Sequence, residues 1–229
     1  MKKRICILCL LTVFSVGFLS ANVKMNLELG PVYTYFSSHE PSNSFHFGSG
    51  HRSWQTHTGG LNVLFGVEFI KNFGVYGTAN FAFGKDYWYK TSSKTDYHGY
   101  LQDADLTYAL DSQFGFFYVF HPAKNLDLTL GAGLGIGGSG HNRTYTTAGI
   151  TTKKEISQTN IGGGLNLDIS YMFTKMIGIY GGVSDTIYVP VHTKTKRTIG
   201  NKTEETSDST TSGKLANSFS IKAGIQLVF

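Results

Sequence analysis

Cysteine is almost missing from this chain: of 229 residues only Cys6 and Cys9 are cysteines, and both fall at the extreme N-terminus. Lys2, Lys3 and Arg4 form a positive n-region there. Residues 5–19 form an apolar stretch too short to span a membrane, and Leu19-Ser20-Ala21 is a small-residue exit. A secretory signal peptide over residues 1–21 is therefore expected, with cleavage after Ala21 and one mature domain over residues 22–229. Leu8 before Cys9 argues against lipoprotein processing. The mature chain then has no thiol, which excludes a disulfide framework and a cysteine metal site.

Charge is also scarce. Only 15% of residues are charged, and losing the three leader cations lowers the formal net charge from +5 to +2. The basic pI is no argument for nucleic acid. Proline is rare, with four residues, and beyond the leader no apolar run is long enough for a membrane helix. Glycine, tyrosine and phenylalanine are plentiful instead.

Those residues recur with a period of two. Eight alternating runs are anchored on Val23, Met25, Leu27 and Leu29; on Leu61, Val63, Phe65, Val67 and Phe69; and on Val75, Ala79, Phe81 and Phe83. They continue through Leu106, Leu110, Phe114, Phe116, Tyr118 and Phe120, then Leu126, Leu128, Leu130, Leu134 and Ile136. Next come Ile161, Leu165, Leu167, Ile169 and Tyr171, then Ile177, Ile179 and Val183, and finally Phe219, Ile221, Ala223, Ile225, Leu227 and Phe229. The connectors alternate in length. Residues 71–72, 121–125 and 174–175 are tight, whereas 37–60, 90–105, 138–160 and 192–215 are long and polar. Short turns alternating with long loops on an even number of strands is the signature of a transmembrane barrel. An all-β fold is expected: an eight-stranded antiparallel up-and-down transmembrane β-barrel, its apolar face to lipid and no sheet edge left open. Phe69, Phe73, Phe120, Tyr171, Phe173 and Phe229 would form one aromatic girdle, and Tyr33, Tyr35, Tyr87, Tyr89 and Tyr108 the other.

Residues 218–229, with Phe219, Ile221, Ile225, Leu227 and the terminal Phe229 in alternation, resemble the C-terminal assembly signal of bacterial outer-membrane proteins. Over its mature length the chain resembles the OmpX, OmpA-transmembrane and OmpW type barrels, in a Gly- and Tyr-rich style that would also suit a spirochaete. The resemblance implies a bacterial outer-membrane location, long loops outside and short turns in the periplasm. The partners it implies are outer-membrane lipid, periplasmic chaperones and the barrel-assembly machinery.

Facing the lumen, parity places Glu28, Glu68, Asp111, Asp127 and Asp168, with Lys24 and Lys222 as counter-charges. The expected lumenal charge network is Glu28, Glu68, Asp111, Asp168 and Lys222, with Glu28 meeting Lys222 because the first and last strands adjoin. Buried charges need partners, so a packed polar plug is weighed against an ion gate. Lumenal glycines, among them Gly131, Gly135, Gly137, Gly162, Gly164 and Gly182, make room. Tyr76, Phe117, Tyr180 and Tyr188 would fill it, or a narrow conduit would use it. Gly133, Gly135 and Gly138 match a dinucleotide-binding spacing, but no helix follows to make a phosphate cradle. Asp185 breaks the outward pattern; it is expected at the outer interface, or else turned inward by a bulge.

Histidines cluster in the long connectors: His39, His46, His51 and His57, then His98, His141 and His192. None has a tight ligand spacing, so no metal and no cofactor is expected. His192, Ser184 and Asp185 near one strand end, and the His51-Arg52-Ser53 triplet, are the only hints of a hydrolase. The expected function is non-enzymatic: a cell-surface protein whose loops make structural or adhesive contact with a host ligand. A narrow porin-like or hydrophobic-solute conduit is the alternative, and a rim hydrolase of lipid A or peptides a minor one.

Overall fold

The computed structural model describes residues 23–39, 51–92, 97–208 and 215–229. The leader, His46 and the side chains of His51, Tyr87, Tyr89 and His98 lie outside the described residues.

Alternation becomes a closed wall. The strands are β1 (Lys24–His39), β2 (His51–Ile70), β3 (Phe73–Ser92), β4 (Tyr97–Ala123), β5 (Leu126–Thr147), β6 (Ile150–Met172), β7 (Ile177–Ile199), β8 (Lys202–Asp208) and β9 (Ala216–Val228). Each of β1 to β7 pairs antiparallel with the next. β9 then joins β7 to β1, closing a ring of eight, and β8 is a side branch that, among the described residues, pairs with β7 alone. At the seam Met25 and Phe229 exchange both backbone hydrogen bonds, at 2.9 and 3.1 Å, so the last residue completes the ladder.

Parity sorts the two faces. Even residues of β1 and β9 point inward and odd ones outward, and β4 and β5 reverse this. Outward residues form a continuous apolar belt, with Leu134 74% exposed and Phe114 68% exposed. A belt of that size would be intolerable in water, and with every strand paired the chain is built to face lipid. Glycines let the wall coil: a Cβ on Gly30 would stand 1.8 Å from the Ala223 carbonyl oxygen.

At one end the turns are tight, with Asn72 (φ 67°) and Asn125 (φ 66°) in the left-handed conformation that asparagine tolerates. Phe69–Phe73, Phe73–Phe116, Tyr118–Phe120 and Tyr171–Phe173 ring contacts gird this end. The connector expected over 121–125 narrows to Lys124-Asn125, because β4 runs to Ala123 and carries Pro122 in a bulge.

The long connectors need a larger correction. Most of their length is strand: β5 and β6 pair as far as Thr147 and Ile150 around a two-residue turn, and β7 folds back on β8. Above the lipid no apolar face is needed, so alternation of hydrophobicity stops while backbone pairing continues. Threonine, frequent here, favours strands as strongly as the apolar β-branched residues do.

Candidate functional site

The lumen is where this fold concentrates polar and charged groups, and it is filled. Near the long-hairpin end Phe36, Trp54, Tyr188, Ala104, Ala109 and Ala216 form a buried cluster. His141 meets the edge of Trp54 across the barrel, with ring centroids 5.4 Å apart. Beneath it Asp111 accepts from Tyr188 Oη (2.5 Å), Ser218 Oγ (2.9 Å) and, at 3.4 Å, Thr186 Oγ1. Gln113 donates to Thr186 (2.6 Å) and accepts from Tyr76 (2.9 Å). Lower still, Tyr180 donates to Asn62 (2.9 Å), whose amide donates to Asn80 (2.7 Å). Asn80 in turn donates to Ser220 (3.3 Å), which bonds Thr34 (2.9 Å). A second apolar cluster, Leu64, Tyr76, Phe117 and Val119, lies toward the tight turns.

These bonds join strands on opposite sides of the ring: β7 to β2, β7 to β4 and, through Ser38 and Gln158, β1 to β6. An eight-stranded barrel is just wide enough for side chains to meet across it. Glycines set where they meet. A Cβ on Gly131 would come within 2.9 Å of the Tyr76 ring, and one on Gly137 within 2.8 Å of Tyr188.

Of the expected charge network, Glu28, Asp168 and Lys222 act on one another, while Asp111 and Glu68 stand apart at other levels. Lys222 Nζ sits 2.9 and 3.1 Å from the two oxygens of Asp168, both side chains almost fully buried. Asn166 also donates to that carboxylate. Sequence parity pairs Lys222 with Glu28, but the register sets Lys222 opposite Val32 and Gln226 opposite Glu28. On its other side Lys222 is opposite Gly182, and Gly182 is opposite Asp168. The pair forms over that glycine, whose absent Cβ would lie 1.9 Å from Asp168 Oδ1. Glu28 accepts a long bond from Gln226 (3.5 Å). Asp111 belongs to the upper cluster, bonded to hydroxyls. Glu68 sits at the tight-turn rim, accepting from the Asn72 amide (2.8 Å), and shares a 20 Å³ cavity with Lys24, Asn26, Phe117, Asp127 and Gln226.

The rim hydrolase hints do not converge. Ser184 is buried in the lumen wall, Asp185 faces outward, and His192 contacts Ser207 at 3.4 Å. Asp185 is held by Asn217 (2.6 Å), and no register shift turns it inward. It shares an outward row with Phe219, Tyr35 and His57, where apolar side chains give way to polar ones. Tyr33 bonds His57 in the same belt. Among the described residues no three His, Cys, Asp or Glu side chains gather as a metal site.

Sequence reading missed Trp54, Phe36, Asn62, Asn80 and Gln113. Trp54 lies within the segment that reads as a long polar connector and Phe36 at its edge. Their even parity, shared with Asn62 and Thr34, was the available signal.

Beyond the belt, the hairpins carry charges on their outer face. Lys153 pairs with Glu155 (2.5 Å) and Lys194 with Glu205 (2.8 Å). The Lys153 ammonium holds the Glu155 carboxyl below the usual carboxylate range.

Solved structures with this architecture are outer-membrane proteins. OprG from Pseudomonas aeruginosa is similar at 11% identity and TM-score 0.56, over 91% of this chain and 97% of that one. A major outer membrane protein from Thermus thermophilus is similar at 13% identity and TM-score 0.53, over 90% of this chain and 99% of that one. AlkL, solved in DMPC bilayers, is similar at 12% identity and TM-score 0.50, over 90% of each chain. At these identities the likeness establishes the fold, a small eight-stranded outer-membrane barrel, as the sequence resemblance implied. No curated protein matches the sequence. The model of a family described as "Domain of unknown function (DUF2715)" matches residues 32–229.

Proposed function

We propose that this chain, which belongs to the family described as Domain of unknown function (DUF2715), is a closed, non-enzymatic outer-membrane barrel that works through its projecting hairpins. One observation carries this reading: hydrogen bonds and rings cross the lumen at several levels, between an upper and a lower apolar cluster. A solute passing through would have to break each level in turn. What remains to act is the surface raised above the lipid, the paired strands β5 to β8. Those hairpins are polar, rich in threonine and laced with ion pairs, which suits an aqueous exterior. They lie outside the cell in this reading, with the tight turns in the periplasm.

Phe219, Ile221, Ile225, Leu227 and Phe229 would serve as the assembly signal. Their side chains line the outward face of the closing strand, where Phe229 is 60% exposed. An assembly factor would reach them before the ring closes.

The test has two readouts on the refolded full chain. In planar bilayers it should give no discrete conductance steps, and steady channel openings would overturn the closed-barrel reading. On cells, replacing residues 195–206 with a short turn should abolish surface contact while the barrel stays heat-modifiable on gels. Undiminished contact would remove the β7–β8 hairpin from the proposal.

A further inference from the structure

We propose that the lumen-side face of the β5–β8 hairpins binds an acidic polysaccharide, its sulfate or carboxylate groups held by Arg143, Lys154 and Arg197. This rests on the reading that the projecting hairpins are the acting surface, and it names what they hold.

Strand register makes the site. Beyond the apolar belt β5, β6, β7 and β8 run side by side, and residues directly opposite one another share a face. Arg143 is opposite Lys154, Lys154 opposite Arg197, and Arg197 opposite Glu204. Three cations from three strands thus stand in one row, about 5 Å from strand to strand. The row below is His141, Ile156, Thr195 and Thr206, and the row above is Tyr145, Thr152, Ile199 and Lys202. His141, Ile156 and Thr152 are buried, so these rows continue the lumen face above the upper cluster. Lys154 and Arg143 both lie near enough to His141 to act on its ring electrostatically.

Charge is sorted between the two faces. In the interleaved outer rows Lys153, Lys194 and Lys196 are mixed with Glu155 and Glu205, and Asp105 joins them by accepting from Thr144 (2.6 Å). On the lumen side the three rows hold Arg143, Lys154, Arg197 and Lys202 against Glu204, with Asp208 one row further down, opposite Thr193. Like charges directly opposite one another destabilise a sheet. A fold that lines them up on one face, while interleaving signs on the other, is shaped to meet an anion.

The surroundings of the row indicate what carries that anion. Lipid headgroups cannot reach it, because the row looks over the barrel mouth and away from the bilayer. Its cations lie in a line rather than a pocket, which suits acidic groups strung along a chain. Guanidinium groups match such planar or trigonal anions with paired hydrogen bonds. Beside them stand the hydroxyls of Thr195 and Thr206 and the ring of Tyr145, whose centroid is 5.4 Å from the Arg143 guanidinium carbon. Hydroxyls meet sugar hydroxyls, a ring meets a sugar face, and the cations meet the acidic groups. Nucleic acid calls for several rings on which successive bases stack. Within these rows the rings are those of Tyr145 and the buried His141.

The experiment is titration calorimetry on the refolded full chain in a zwitterionic detergent, at low and at physiological salt. The probes are a short heparin oligosaccharide, a polygalacturonate fragment of equal length and neutral dextran. One or both acidic probes should bind, more weakly as salt is raised, and dextran should not. Which acidic probe binds names the anion. Replacing Arg143, Lys154 and Arg197 together by Gln should weaken binding by about thirtyfold or more, through the loss of several charge-assisted bonds. Replacing Lys153, Lys194 and Lys196 by Gln removes the same charge from the outer face and should change binding by less than about threefold. Arg197→Gln alone serves if the first triple variant does not refold, with a loss of about fivefold. Equal losses in the two triple variants would reduce the effect to net charge and overturn the row. Failure of both acidic probes to bind would overturn the site; if replacing residues 195–206 still abolished cell contact, the hairpin reading would stand without it. A duplex DNA oligomer held as tightly as heparin would overturn the polysaccharide assignment.

Discussion

Lys222 and Asp168 reach each other only because residue 182 is glycine. They come from strands on either side of β7, and the row between them holds no side chain. Replacing Lys222 by Met should therefore leave Asp168 buried with only the Asn166 amide as partner, at a cost of about 3–5 kcal/mol. Adding Asp168→Leu should recover most of that loss, since a buried pair is often no better than well-packed apolar residues. Denaturant titration of the refolded barrels measures both, and a double variant as unstable as Lys222→Met would show that the pair is not the unit. The inward placement of these residues was legible in the sequence from parity alone. The partnership was not. Alternation fixes which face a residue occupies but not which row it shares with another strand, so Glu28 and Lys222 looked like partners on adjoining strands. The gap at Gly182 was the clue, and its meaning depends on a register that no single strand encodes.

At the level of elements, the tight turns and the hairpins obey different rules. Asn72 and Asn125 supply the left-handed backbone of their turns in residues that tolerate it, but the β5–β6 tip asks it of Ala148, at φ 50°, followed by Gly149 at φ 76°. Alanine carries a steric penalty there of about 1–2 kcal/mol, and two positive φ values in sequence are the geometry that Asn-Gly adopts best. Ala148→Asn should thus stabilise the tip, slowing amide hydrogen exchange at Thr147 and Ile150 by about fivefold or more. Unchanged exchange would mean that the tip opens by another route, such as loss of the side-chain bond between Thr146 and Thr151. Membrane strands were readable in the sequence because lipid imposes alternation on them. The hairpin strands were read as loops because water imposes none, and only the threonine content and the ladder Arg143↔Lys154 to Thr147↔Ile150 declare them.

For the whole molecule, closure is a property of layers in series. The upper cluster around Tyr188 and the Asn62–Tyr180 layer cross the lumen, while the Lys222–Asp168 pair and the Phe117 cluster fill it from neighbouring strands at further levels. Current through layers in series is set by the tightest one, so removing a single layer leaves the others closed. Tyr188→Ala should accordingly be as silent in a planar bilayer as the parent chain, although it leaves a hole over Gly135 and Gly137 and strips a donor from Asp111. The triple replacement of Tyr188, Tyr180 and Phe117 by Ala opens the upper, middle and lower levels together, and it should conduct. The many lumenal glycines favour this outcome, because few Cβ atoms on β5 stand ready to refill the space. Steady conductance from Tyr188→Ala alone would show that the lower layers do not seal, and the barrel would then have one gate rather than a plug. A silent triple variant that still folds would instead mean that the wall collapses inward. In that case closure belongs to the backbone and its glycines rather than to the side chains that cross it.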